Sequence, residues 1–311
     1  MVIGYLINYL RRIAEKLSNK NPIKLRIGGA LITLIVVSLS AYVGWLIERL
    51  ALPNSFLSIT LGKMIVVLLM SSALASRSLN NRVKEILNCL KNNTNSKDIY
   101  SARLKLKRIV GREVSHLEEE EILRASAETA SENSVDGIFA PLFWMFIGVF
   151  LWNFSTSLPG PLSLAWAYKA SSTIDSMIGY KKGSLKWMGT AGARLDDFLT
   201  WIPCRLTLLT LPIISQSWMK VPRTIKAAWR DGSKDLSPNS GLSEAIFAHC
   251  AKVQMGGDNI YGNYHLKKPI LAKESPKATK EGVQRILKLI LELEFTWLIA
   301  FTFLNQFLLS N

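Results

Sequence analysis

Residues 28–47 read "GGALITLIVVSLSAYVGWLI", a run of twenty positions without a charged side chain. A helix rising about 1.5 Å per residue needs ~20 apolar residues to cross the hydrocarbon core of a bilayer. The run has that length. It predicts a membrane-spanning helix, and the rest of the chain is organised around it.

Working outward, residues 57–75 ("LSITLGKMIVVLLMSSALA") repeat the pattern, interrupted only by Lys63 near one end, where a long side chain can snorkel to the interface. Residues 137–153 and 294–310 are also span-like, while 161–178 and 192–215 are apolar but broken by polar residues. Four to six membrane helices are therefore expected. Polar lobes occupy 77–135 and 220–290, and no alternating apolar and polar run is long enough to build a sheet. The expectation is an all-α, polytopic integral membrane protein in which residues 1–311 form a single membrane domain with cytoplasmic helical and loop regions.

Composition agrees. The chain is 49% hydrophobic and 20% charged, and its mean hydropathy is +0.20, apolar for a soluble enzyme. Arg11, Arg12, Lys16, Lys20, Lys24 and Arg26 precede the first span, and Arg77, Arg82, Lys84, Arg103, Lys105 and Lys107 follow the second. By the positive-inside rule both flanks, and hence the N-terminus and the main polar lobes, are expected on the cytoplasmic face of the cell membrane. A net charge of +15 and a pI near 9.8 are then explained by topology and anionic lipid, and no nucleic-acid partner is inferred. The opening "MVIGYLINYLRR" is not a signal peptide, since its apolar stretch precedes the basic residues. Cys89, Cys204 and Cys250 are scattered and read as reduced thiols, and His116, His249 and His265 have no zinc-type spacing with them.

The chemistry gathers at four clusters. In "EEEEILRASAETASENSVDG", Glu128, Glu132 and Asp136 recur at i, i+4 and i+8 and share one helical face, with Asn133 beside them. Stacked like charges repel, and a cation or cationic substrate would relieve them. The bland alternative is a solvated acidic helix, but the run leads directly into "GIFAPLFW", where carboxylates are costly unless paired or coordinated. Glu132 and Asp136 are candidate Mg²⁺ ligands, since that ion takes one or two carboxylates together with substrate phosphates. In "YKASSTIDSMIGYKK", Ser172, Asp175, Ser176 and Gly179 share a face near Lys169; the choice is between an interhelical hydrogen-bond seam and a functional acid at Asp175. In "ARLDDFLTWIPCRL", Arg194, Asp197, Trp201 and Arg205 align, Asp196 lies adjacent, and Pro203 is expected to kink or end the helix. Arg194 and Asp197 either neutralise each other or leave arginines to bind anions. In "RDGSKDLSPNSGLSEA", Arg230 precedes a turn of Ser237, Pro238, Asn239, Ser240 and Gly241 ahead of a helix: either an anion cradle or ordinary capping by Ser240. The next stretch, "GGDNIYGN", offers Gly256, Gly257, Asn259, Tyr261 and Gly262, and its glycines permit close ligand approach or any tight turn. No G-x-x-x-x-G-K-[ST], G-x-G-x-x-G or H-E-x-x-H occurs, which excludes standard P-loop and Rossmann enzymes as far as motifs can.

Taken in order, "ETASENSVDGIFAPLFW", "AYKASSTIDSMIGYKK", "ARLDDFLTWIPCRL" and "RDGSKDLSPNSGLSEAIFA…QMGGDNIYG" resemble the CobD/CbiB family of cobalamin biosynthesis, the adenosylcobinamide-phosphate synthases, over roughly residues 25–265. Arg26 and Gly28 look like the R-x-G of its early membrane segment. Members commonly begin with a further apolar segment carrying D-P and H-P-V patterns, and this chain is read as starting at the tail of that segment. The resemblance implies a membrane ligase that joins a corrinoid substrate, adenosylcobyric acid, to an amino-alcohol phosphate (aminopropanol or ethanolamine phosphate) at the expense of ATP with Mg²⁺, alongside membrane lipid and other cobalamin-pathway membrane enzymes as partners. On that reading Glu128, Glu132, Asn133, Asp136 and Asp175 are catalytic. Lys169, Arg194, Asp196, Asp197, Arg205, Arg230, Ser237, Asn239, Ser240, Gly257, Asn259 and Tyr261 contact substrates. The alternatives are a non-catalytic membrane sensor or scaffold, and a transporter of a corrinoid or other anionic metabolite.

The basic flanks yield a direct test: tags placed at the N-terminus and within 85–100 are expected on the same, cytoplasmic, face. Protease or reporter accessibility placing them on opposite faces would remove one of the first two spans.

Overall fold

The computed structural model describes residues 2–53, 57–90, 95–180, 182–261 and 264–310. Among them, thirteen α-helices and one hairpin run in the order α1 (Val2–Ser18), α2 (Pro22–Glu48), α3 (Ile59–Ser71), α4 (Ser76–Leu87), α5 (Ser96–Leu106), α6 (Glu119–Ser134), α7 (Ala140–Phe154), α8 (Pro161–Ile178), α9 (Leu185–Met188), α10 (Thr190–Ser215), α11 (Val221–Gly232), α12 (Ser240–Ala251), β1 (Met255–Tyr261), β2 (Tyr264–Leu271) and α13 (Lys280–Ser310). The described chain is thus all-α apart from one antiparallel pair. Among the described residues, four helical stretches are long and apolar enough to cross a membrane: Pro22–Ala51, Ile59–Leu87, Glu119–Phe154 and Thr190–Ser215. The first three contain the spans expected near 28–47, 57–75 and 137–153. The fourth contains the interrupted segment 192–215, and 294–310 lies within α13.

The chain divides into two compact units. One comprises Met1–Leu74, Ala140–Thr200 and Ala300–Asn311; the other comprises Ala75–Phe139 and Trp201–Ile299.

In the first unit α2 lies against α8 and α1, and α7 against α8. Ile7, Leu25, Ile32, Val36, Ala170, Ile174, Ile178 and Met188 form its main buried cluster. Without a hydrophobic drive between helices in lipid, close packing holds them together, and small residues permit it. A Cβ on Gly29 would lie 1.9 Å from the Met188 carbonyl oxygen, and one on Gly44 would lie 2.7 Å from the Ser163 Cα. The opposite face of α2 exposes Ile27, Leu31, Leu34 and Leu39, as a lipid-facing surface does. At the end of α2, the fully buried Glu48 accepts hydrogen bonds from the backbone N–H groups of Gly160 (3.0 Å), Leu162 (2.6 Å) and Ser163 (3.1 Å). Its carboxylate satisfies the orphan donors that open α8.

The second unit holds α4, α5, α6, α11, α12, the hairpin and most of α13. Three expectations are corrected here. The stretch "MGGDNIYGNY" is half of a hairpin and not merely a turn cluster: Asp258 pairs with Lys267 and Asn259 with Leu266, in a pattern that the two glycines hide from any search for alternation. Pro203 does not end its helix, the second of the two outcomes expected there: α10 carries both Pro203 and Pro212 internally. The hydroxyls of Thr207 and Thr210, bonded to Pro203 O and Leu206 O, accompany this stretch. Ser240 does not cap α12. Asn239 holds the cap position, and the Ser237 hydroxyl accepts from the N–H groups of Asn239 and Ser240 at 3.3 and 3.2 Å.

The helix α6 opens with Glu119, Glu120 and Glu121 in its first turn, which matches the positive end of its dipole. Its Ala-rich body packs so tightly that Ala125, Ala127 and Ala130 are fully buried. It passes into α7 through a π turn, Val135–Phe139. Such turns widen the helix by one residue and alter the register of the turns beyond them, so Asp136 is not the simple continuation of the Glu128–Glu132 stripe.

Truncating Glu48 leaves three buried N–H groups unsatisfied. Glu48→Ala is expected to destabilise the detergent-solubilised protein by about 3 kcal/mol or more, and Glu48→Gln, which keeps an acceptor, by less. Thermal melting followed by tryptophan fluorescence reads the difference. A wild-type midpoint in Glu48→Ala would show that the three contacts contribute nothing.

Candidate active site

The most heavily charged interior of the second unit is built around Glu128. The connection between α5 and α6 turns where Glu113 accepts from the N–H groups of Val114 and Ser115, both at 3.1 Å, and the turn delivers Arg112 to α6. Arg112 Nη1 donates to Glu128 Oε2 at 2.8 Å, and Arg124, one helical turn before Glu128, donates to Oε1 at 3.1 Å. The Gly256 N–H completes the shell at 2.9 Å from Oε1. Gly256 has φ +84°, and a Cβ there would strike the Pro269 carbonyl at 1.9 Å; this is where the ladder register is irregular, between Met255 and Gly257. A bulge with a positive φ frees an N–H from the ladder and aims it at the carboxylate. Asn259 Oδ1 accepts from both arginines, Arg112 and Arg124. Arg124 also donates to the carbonyls of Gly256 (2.6 Å) and Asp258 (3.0 Å), tying the hairpin to α6.

Beside this group lies a second one. Lys268 Nζ donates to Glu244 Oε1 at 2.7 Å and lies 3.9 Å from Asp235 Oδ2. Glu132, one turn after Glu128, senses the charges of Lys268, Asp235, Glu128 and Arg112. Burial pushes Glu244 up to about 8, with repulsion from Glu132 and Glu128 adding to it and Lys268 opposing it. Lys268 moves above its ordinary range, because its carboxylate neighbours Glu244, Glu132 and Glu128 outweigh the burial that alone would lower it. Lys268 therefore stays cationic, and one proton is retained among the carboxylates at neutral pH.

The structure sorts the residues expected from the sequence. It brings together Glu128, Glu132, Asn259 and the backbone next to Gly257. Asn133 is exposed, and Asp136, with its π-turn offset, lies where its charge is felt by Cys204. The Tyr261 side chain and Gly262 lie outside the described residues. Arg205 stacks on Trp201 at 4.6 Å and donates to Asn239 Oδ1 and, at 2.9 Å, to Pro238 O, so it braces the Ser237–Gly241 turn. Arg230 is exposed and donates to Asp231 at 3.0 Å. Lys169, Asp175, Arg194, Asp196 and Asp197 belong to the other unit, where Asp196 has Asp175 and Asp197 as charged neighbours. Among the described residues no group of three or more His, Cys, Asp and Glu side chains is arranged to hold a metal ion.

Sequence reasoning missed Arg112, Arg124, Glu244, Lys268 and the His249–Asp231 pair (2.9 Å). Asp231 is held below its usual range: burial would raise it, but hydrogen bonds from His249, Arg230 and the Ala272 N–H prevail.

These features define a polytopic α-helical membrane protein with a buried, mixed-charge site in its more polar unit. Residues 1–290 match the CobD/Cbib protein family, and the chain belongs to it. It is 40% identical over 270 residues to the "Cobalamin biosynthesis protein CobD" of Synechocystis sp., covering 86% of this chain and 74% of that one. It is 34% identical over 293 residues to the "Cobalamin biosynthesis protein CbiB" of Salmonella typhimurium, covering 93% and 84%. No solved structure matches. Membership supports a role in cobalamin biosynthesis.

The retained proton has a measurable consequence. Glu244 is raised from 4.5 to about 8 in the fold. Both states hold the proton below the free value and neither holds it above the folded one, so the stabilisation is complete in acid and is lost as pH climbs through this window. The melting temperature of the wild type is expected to fall between about pH 5 and about pH 8, and to fall less in Glu244→Gln. Parallel curves for the two proteins would show that Glu244 does not carry the proton.

Proposed function

We propose that the protein catalyses amide-bond formation between adenosylcobyric acid and an amino-alcohol phosphate, at the expense of ATP, giving adenosylcobinamide phosphate, with the site on the cytoplasmic face. The observation that carries this reading is the set of buried Arg112, Glu128 and Glu244 with half-buried Arg124, Glu132 and Lys268, where cations and carboxylates that can hold or release a proton lie together. Family membership and the names of the relatives support the pathway.

The chemistry requires a carboxylate to be activated by phosphoryl transfer and then attacked by an uncharged amine, with loss of phosphate. A substrate ammonium must therefore surrender a proton within the site. Glu132 is suited to accept it, since it lies in a cluster whose carboxylates outnumber its local cations and in which Glu244 already holds a proton at neutral pH. Lys268 fixes Glu244 and counters the anionic charge that builds as phosphate leaves. Arg112 and Arg124 supply positive charge at the opposite end, positioned by Glu128. Of the two carboxylates expected to hold Mg²⁺, Glu132 lies in this cluster while the π turn offsets Asp136 from it, so the ion would be held by Glu132 together with waters and substrate phosphates. When bound it would neutralise nucleotide phosphate charge.

The test is positional. Cells lacking the protein, and able to import both compounds, are expected to fail to make cobalamin from cobyric acid yet succeed from cobinamide, which already carries the amide-linked amino alcohol. The wild-type gene and Glu119→Gln should restore growth on cobyric acid, and Glu132→Gln should not. Equal use of both compounds by the deleted strain rules out the ligase. A transporter would instead fail according to which compound needs import.

A further inference from the structure

Arg112 is the least explained member of the site. Its side chain is 6% exposed, and Nη1 is committed to Glu128 and Asn259. Its Nε and Nη2 are both buried, and neither has a partner among the described residues. The Nε–H and one Nη2–H of a guanidinium point the same way and form the flat edge that grips two oxygens of a carboxylate or phosphate. Asn259, 2% exposed, adds to this edge: its Oδ1 is taken by the arginines, while its Nδ2 is likewise buried and unpartnered. Leaving such donors empty in the interior is costly.

Charge points the same way. Both oxygens of Glu128 are spent on Arg112, Arg124 and the Gly256 N–H, so at this end of the cluster two guanidinium groups share one directly bonded carboxylate. Glu132 also feels Arg112, but of the four charges it senses Lys268 is the strongest and Arg112 the weakest. Arg124 also turns Nη1 and Nη2 to backbone carbonyls, whereas the buried Arg112 edge has no such partner among the described residues.

We propose that Arg112, backed by the Asn259 amide, is the oxyanion anchor of this site and grips two oxygens of a phosphate monoester or a carboxylate. This rests on the reading of the cluster as a substrate site and assigns a recognition residue within it. Glu128 and Arg124 act as positioning residues: they fix the guanidinium so that its free edge faces the ligand.

The experiment is a calorimetric titration of full-length protein in detergent, without nucleotide or corrinoid, against inorganic phosphate, O-phosphoethanolamine and propionate. Saturable binding of at least one probe is expected, with the phosphate and propionate arms distinguishing the two oxyanion classes. Arg112→Lys keeps the charge but loses the fork and is expected to weaken binding about tenfold or more. Asn259→Asp keeps the oxygen that both arginines use and replaces the donor with a repelling oxygen. It is expected to weaken binding by a similar factor while melting at or above the wild-type temperature, a combination that a purely structural asparagine would not give. Absence of saturable binding to the wild type overturns the proposal, as does wild-type affinity in either variant that folds. The wild-type titration stands whether or not both variants accumulate. A protein that binds a probe but fails the cobyric acid test keeps its anion anchor and loses the ligase reading; the reverse result removes the anchor alone.

Discussion

A carboxylate cannot be taken out of water without partners, and Glu128 shows how much structure that constraint organises. Its two oxygens collect a guanidinium from the α5–α6 connection, a second from its own helix and a backbone N–H from the hairpin bulge. Each partner lies in a different segment, so satisfying one buried charge fixes a loop, a helix and a hairpin together. Removing one member of such a set strands the others in a low-dielectric interior, which is why buried ion clusters are costly to break even where they add little net stability. Their worth is in positioning. Of the residues proposed to handle substrate, Arg112 is held by the contacts that resolve the burial of Glu128, Glu132 stands on the same helix, and Lys268 comes from the hairpin that those contacts tie to it.

Glu48 solves the same problem in the other unit with backbone donors alone. Three N–H groups at the start of α8 converge on it, and an apolar helix end that would otherwise present unsatisfied donors becomes a binding partner for its neighbour. Both carboxylates are hidden and both join segments distant in sequence. They differ in consequence, because backbone N–H groups carry no net charge to attract a ligand, whereas the two arginines on Glu128 each carry one.

The membrane helices were legible because bilayer thickness imposes a length and a composition that few other structures require. Residues 28–47 could be read outright, and the positions of α3 and α7 came from the same rule. The interrupted segment 192–215 was harder, since Arg194, Asp196, Asp197 and Pro203 each argue against a continuous helix. The chain tolerates Pro203 within α10 because the carbonyl that it leaves without a helical donor, Leu199 O, accepts from the Trp144 Nε1–H at 3.1 Å. The hairpin was hidden for a different reason: Gly256 and Gly257, both with positive φ, break the alternation that marks a strand, and they do so to serve the Glu128 site.

Of the site itself, the sequence revealed the carboxylates of α6 and concealed Glu244 and the cations. Glu128 and Glu132 stood out because their spacing on one helix is a local property. Arg112 lies 16 residues from Glu128 in an unremarkable turn, Gly256 lies 128 residues away, and Lys268 reaches Glu244 from the second strand of a hairpin that alternation did not disclose. The spacing did establish a demand: two stacked acids on an Ala-rich helix need positive charge from elsewhere. A metal ion was one way to meet it, and the chain's own arginines and lysine are another. The two are not equivalent. A cation supplied by the protein stays in place when substrate leaves, so the site is charged and shaped before any ligand arrives, and the energy of binding need not be spent on assembling it.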